Sequence, residues 1–123
     1  MISLSIIIVN YRSWKRLDAC LKSIAIQSLE HIEVIVVDNN STDGLAESFM
    51  IEHPQVRFIM QDINGGFAQA CNRGAKEAKA EWLLFLNPDT ILQANTLRSL
   101  LDRVSTEPSW KLIGIEQLND TSR

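Results

Sequence analysis

Three short segments carry residues whose types and positions could do chemistry: Asn10-Tyr11-Arg12, Asp38-Asn39-Asn40 and Asn87-Pro88-Asp89. Each follows an apolar run of the kind that forms a buried strand. Polar residues that end such strands in an open α/β sheet are carried to one rim, where ligands bind. A carboxylate there can hold a divalent cation, with phosphate oxygens and waters completing the shell. Asp89 suits that role, and Pro88 stiffens the approach to it. A fourth segment, "DINGGF", sets Gly65 and Gly66 before a helical pattern, where backbone N–H groups can approach a phosphate. The glycines do not fit GxGxxG, and no GxxxxGK[ST] occurs, so dinucleotide and P-loop NTPase chemistry has weak support.

The elements that must position these residues alternate in type. "SLSIIIVN" is apolar at nearly every position, as in a strand covered on both faces. A helical pattern follows, with Trp14, Leu17, Leu21 and Ile24 on one side and Ser13 as its N-cap. "IEVIVVDNN" is a second buried strand ending in turn residues. "GLAESFMIEH" is a short helix stopped before Pro54, and "VRFIM" is a third strand. "GFAQACNRGAKEAKA" is a helix with a face of small residues. Gly74 costs roughly 1 kcal/mol of helix propensity, so its presence predicts close approach of helix to sheet. "EWLLFLN", "LQANTLRSLLDRVS" and "WKLIGIEQL" complete a fourth strand, a fourth helix and a fifth strand. Strand–helix alternation predicts an α/β doubly wound, mainly parallel sheet with helices on both faces and right-handed crossovers. No repeat or composition shift divides residues 1–123, so one domain is expected.

Composition narrows the function classes. The net charge of −3 argues against non-specific nucleic-acid binding, which needs a basic face. Cys20 and Cys71 are far apart, form no CxxC motif, and read as two buried free thiols. His31 and His53 sit in polar connecting segments and read as solvated loop residues. Trp14, Trp82 and Trp110 read as packing residues. No apolar run approaches the ~20 residues of a membrane helix, and Met1 is followed directly by a strand pattern without a signal-peptide n-region. A cytoplasmic chain is expected, with peripheral membrane contact as the other location considered.

Taken in order, "SIIIVNYRSWKRLDACLKSIAIQS", "IEVIVVDNNSTDG" and "NGGFAQACNRGAKEAKAEWLLFLNPDT" resemble the nucleotide-binding half of family 2 glycosyltransferases, which have the GT-A, Rossmann-like fold. The resemblance runs from about Ser3 to about Val104. The "NPD" form is similar to the rhamnosyltransferase-like branch, whose members often use dTDP-rhamnose or UDP-hexose donors for cell-surface polysaccharides. The resemblance implies roles. Val9, Asn10 and Tyr11 would line the base and ribose pocket, and Asp38 would hydrogen-bond the uracil or thymine ring through its carboxylate. Asn40 and Asp43 would shape the turn after that strand. Asn64, Gly66 and Phe67 would cover part of the pocket, with Asn72 and Arg73 near its edge. Asp89 would ligate Mg2+ or Mn2+ on the diphosphate. Asn87 stands where the usual pattern has an acidic residue, so a weaker, more donor-dependent cation affinity is expected.

The implied activity is inverting, metal-assisted sugar transfer from a dTDP- or UDP-sugar to a saccharide or lipid-linked acceptor. In the family the general base and acceptor-binding segments lie beyond the position of Arg123. Glu116 and Asp120 are the carboxylates near the end, and nothing marks either as that base. A C-terminally truncated domain, the donor-binding part of a longer enzyme, is therefore expected, with an uncovered sheet edge that favours a homodimer. The alternative reading is a nucleotide-binding or partner-binding module that does not catalyse. A flavodoxin-like or receiver-type domain fits poorly, because it wants an acidic cluster where Asn10 and Tyr11 stand.

Overall fold

A computed structural model describes residues 2–106 and 112–113; Trp110, Glu116 and Asp120 lie outside the described residues. The elements run β1 (Leu4–Asn10), α1 (Trp14–Ile26), β2 (Ile32–Asp38), α2 (Ala46–Glu52), β3 (Arg57–Met60), α3 (Phe67–Glu77), β4 (Trp82–Leu86), α4 (Thr96–Thr106) and β5 (Leu112–Ile113). Every strand pairing is parallel, in the order β3-β2-β1-β4-β5.

Strand β1 is central, and all seven of its residues are buried. Its side chains alternate between faces, as a strand's must. Ile6 and Ile8 join a core with Leu17 and Leu21 of α1, Phe49 of α2 and Leu97 of α4. Ile7 and Val9 join a second core with Ile35, Val37 and Ala70 of α3. The doubly wound architecture expected from the alternation of elements is therefore present, with α1, α2 and α4 on one face and α3 on the other.

The small face of α3 exists for contact. Gly74 lies against β1 and β2, and a Cβ there would stand 2.6 Å from Ile7 Cγ2 and 3.2 Å from Val37 Cγ2. Gly74→Ala recovers about 1 kcal/mol of helix propensity, but it forces the helix off the sheet, an overpacking that costs roughly 1–3 kcal/mol. We expect a net loss, read as a lower urea midpoint at constant slope; a raised midpoint would contradict this packing.

Three local expectations change. Ser13 occupies the N-cap position of α1, but its side chain makes no capping bond. Its hydroxyl donates to the Tyr11 carbonyl, while its backbone N–H donates to Asn10 Oδ1. His53 is not a solvated loop residue: it is buried, stacked 4.5 Å from Phe49 and 2.9 Å from Asp18 Oδ1. Its ring is covered by Phe49 of its own helix and held by Asp18 of α1, although Ile51 and Glu52 before it are exposed. Both thiols are free, Cys20 buried and Cys71 half-buried.

Candidate functional site

The register sets the site. Asn10 is paired with Asp38 across β1 and β2, and Ile8 is paired with Leu86 across β1 and β4. The carboxyl ends of β2, β1 and β4 therefore meet on one rim, about 5 Å apart per strand. Strand order reverses between β1 and β4, which is where open α/β sheets form a ligand crevice. The segments expected to converge do converge at this rim.

Asp38 is the centre of its polar network. Oδ1 accepts from Asn10 Nδ2 at 2.9 Å and from Ser41 Oγ at 2.6 Å, and Oδ2 accepts from Ser41 N at 2.9 Å. Ser41 Oγ in turn accepts from Arg12 N at 2.9 Å. Asp38 is 1% exposed and Asn10 is fully buried. Asp38 thus leaves little carboxylate surface open to a ligand in this arrangement. It closes the turn after β2 and locks it to β1. The D-x-x-S spacing of Asp38 and Ser41 carried the signal, since such a pair makes a local side-chain–backbone turn. The same turn holds Asn40 in the left-handed region at φ 61. Asp43 accepts from the Trp14 indole at 2.9 Å, tying the far end of the turn to α1.

Of the first segment, Tyr11 and Arg12 present surface. Val9 packs into the α3-side core, while Tyr11 is 46% exposed. The Arg12 guanidinium carbon stands 5.2 Å from the Tyr11 ring centre, and Arg12 Nε donates to the Ser41 carbonyl at 2.8 Å. The glycine segment joins the rim through Asn39 and through Gln61, a residue that motif reading passed over. Asn39 Nδ2 donates to the Gly66 carbonyl at 3.1 Å, and Gln61 Nε2 donates to Asn39 Oδ1 at 2.8 Å. Asn64 Oδ1 accepts from Gly66 N at 3.0 Å. Gly66 adopts φ 93 at the head of α3, a backbone that side chains rarely tolerate. Phe67 is exposed beside it; Asn72 and Arg73 lie further along α3, also exposed.

Asn87 and Asp89 are exposed in the loop that leaves β4, with Thr90 N donating to the Asn87 carbonyl at 3.0 Å. Neutral amide and carboxylate oxygens beside a ligand crevice suit a hard cation such as Mg2+ or Mn2+ completed by phosphate and water. The loop rests on α1, where Cys20 Sγ approaches the Asn87 carbonyl at 4.0 Å. Burial pushes the Cys20 thiol up from 9.0 to about 12, and the negative charge of Asp89 adds to the rise. Below pH 9 both folded and unfolded thiols hold their proton. Between 9 and about 12 only the unfolded thiol ionises, so stability falls as pH rises through that window, by about 1.4 kcal/mol per unit at most. We expect wild type to lose about 1 kcal/mol more than Cys20→Ala between pH 8 and pH 10. Urea unfolding of both at the two pH values measures it; equal losses would mean the thiol is not buried.

Asp18, Glu52 and His53 bring three potential ligand atoms within 4.8 Å of one another. This cluster lies between α1 and the C-terminal end of α2, away from the strand-end rim. Lys22 Nζ already stands 2.8 Å from Asp18 Oδ2. Its hydrogen bond, with that of His53, holds the Asp18 carboxyl below the usual carboxylate range. A lysine ammonium thus balances the cluster, and it does not substitute for Asp89.

Fold and rim together define a class: an open parallel α/β domain whose polar strand ends meet beside the β1–β4 reversal, with an exposed carboxylate in the loop after β4. The sequence profile described as "Glycosyl transferase family 2" matches residues 5–110, and the chain belongs to that family. It is 32% identical to "Glycosyltransferase GlyG" of Streptococcus pneumoniae, with 90% of this chain and 38% of that protein covered. It is 27% identical to "N-acetylglucosaminyl-diphospho-decaprenol L-rhamnosyltransferase" of Mycobacterium tuberculosis, with 90% and 40% covered. The chain thus spans about two-fifths of the length of these relatives. The structure of S. aureus TarS 1-349 in complex with UDP-GlcNAc superposes at a TM-score of 0.78 with 26% identity, covering 85% of this chain and 32% of that one. Among the described residues, no helix is long and apolar enough to cross a membrane.

Proposed function

We propose that this chain is the donor-binding part of an inverting glycosyltransferase that uses a dTDP- or UDP-sugar. The observation that carries the reading is the meeting of three strand ends and the Gly66 loop at one crevice. Tyr11 offers its exposed ring to the pyrimidine, with the Asn39–Gly66 contact and Phe67 bordering the pocket. Asp38 and Asn10 act beneath them, holding the β2 turn in shape. The UDP-GlcNAc complex of a structurally similar protein supports a nucleotide-sugar ligand.

Asn87 and Asp89 would hold Mg2+ or Mn2+ at the diphosphate, where the cation, when bound, supplies Lewis-acid stabilisation of the leaving group. An acceptor hydroxyl attacks the opposite face of the sugar, and a carboxylate general base from a segment other than those described takes its proton. The acceptor is a saccharide or a lipid-linked saccharide, and transfer takes place in the cytoplasm or at its membrane surface. The reading is tested by titrating the chain with UDP and dTDP, with and without Mn2+. Saturable, Mn2+-enhanced binding of either nucleotide is expected; equally weak binding of both, unaffected by Mn2+, would overturn it.

A further inference from the structure

The loop that carries Asp89 makes few contacts with itself. From Asn87 to Asn95 the chain is neither helix nor strand. Its backbone bonds include Thr90 N to the Asn87 carbonyl and Thr96 N to the Gln93 carbonyl, at 3.0 and 3.2 Å, and Ser99 N to the Asn95 carbonyl at 3.0 Å. Leu92 anchors its middle in the core, and one row of side chains along α1 and its C-cap residue Gln27 holds its backbone. Cys20, Ser23 and Gln27 lie at i, i+3 and i+7, a spacing that stacks them on one helix face. Cys20 packs under the Asn87 carbonyl at 4.0 Å. Ser23 Oγ accepts from Leu92 N at 3.0 Å while donating to the Cys20 carbonyl at 2.7 Å. Gln27 uses both ends of its amide: Nε2 donates to the Gln93 carbonyl at 2.8 Å, and Oε1 accepts from Leu97 N at 3.2 Å.

We propose that the Cys20–Ser23–Gln27 row is a positioning device that restrains the loop bearing Asp89 and thereby sets how tightly that loop holds a cation. The inference rests on the reading of Asp89 as a cation ligand. Asp89 is exposed on a short turn, and a carboxylate on a freely moving turn must lose that freedom on binding. The α1 row removes it beforehand, in the manner of the outer groups that orient metal ligands elsewhere. Ser23 and Gln27 point at backbone groups, so their part of the restraint adds to the burial of the Leu92 side chain. Gln27 is partly exposed, so water can replace its bonds when it is removed and the fold survives.

The test uses Gln27→Ala and Ser23→Ala in a Cys71→Ser background, with two readouts. The first is alkylation of Cys20 by iodoacetamide without nucleotide, which reports opening of the loop above the thiol. The second is UDP binding with and without Mn2+. We expect faster alkylation and a roughly tenfold weaker Mn2+ dependence of UDP binding, with Mn2+-free UDP binding unchanged within about twofold. A global loss of stability would weaken both forms of binding together, and that pattern overturns the proposal. So does an unchanged alkylation rate, or an unchanged Mn2+ dependence, in both variants. A background protein that itself shows no Mn2+-dependent binding overturns the reading of Asp89 and this inference with it, and is recognised before any α1 variant is made.

Discussion

We expect Asp89→Ala to abolish the Mn2+-dependent part of UDP or dTDP binding and to leave the Mn2+-free part intact. Asp89 is exposed at the mouth of β4, and among the described residues no hydrogen bond or ion pair of its carboxylate supports the fold. Removing it therefore affects ligand binding far more than stability. A cation bridging protein and diphosphate depends on its protein oxygens, and Asn87 contributes only a neutral one. We expect the Mn2+-bound affinity to fall at least tenfold, which is about 1.4 kcal/mol. Calorimetric titration of both proteins at equal Mn2+ measures the difference. The unfolding temperature of the variant should lie close to wild type. Equal Mn2+ enhancement in both proteins would move the cation away from this loop.

Asp38→Ala has the reverse signature: a large loss of stability. The substitution strips three donors, Asn10 Nδ2, Ser41 N and Ser41 Oγ, of their shared acceptor. Every fully buried side-chain N and O atom among the described residues now has a hydrogen-bond partner, so the variant would introduce a defect the native fold lacks. A hydrogen bond to a charged group contributes about 1.5–3 kcal/mol, and an orphaned buried donor costs about 1–3. We expect a loss of roughly 3 kcal/mol, a large share of the 5–15 that holds a domain, and a fall of about 10 °C in Tm. Thermal unfolding and urea titration measure it. If Asp38 instead gripped the pyrimidine directly, the variant would keep its stability and change its selectivity between uridine and thymidine nucleotides.

The two substitutions separate two carboxylates that look alike in sequence. Each follows an apolar strand and precedes a helix. Sequence spacing placed both at strand ends, and the structure agrees. It could not show that Asp38 turns inward. That depended on Asn10 standing directly across from it, and the partner across a sheet is set by register rather than by neighbours in the chain. The Asp38–Ser41 contact had a signal in the sequence, because an acidic residue and a serine three apart make a local turn. The pairings of Asn39 with Gly66 and of Gln61 with Asn39 had no such local signal, because they span 27 and 22 residues. His53 was misread for the same reason: Asp18, which meets it, is 35 residues earlier.

The amino-acid sequence alone determined the alternation of strands and helices, the two-faced burial of β1, the close helix at Gly74 and the family. The first three follow from local periodicity and residue size, which act over a few neighbours; the family follows from the resemblance of the strand-end motifs. Tertiary structure alone decided which polar groups meet: Asn10 with Asp38, Asn39 with Gly66, and the α1 row with the Asp89 loop. Those pairings depend on strand order and on the depth at which α1 sits against the sheet. Both are outcomes of packing the whole core, and no single segment encodes them.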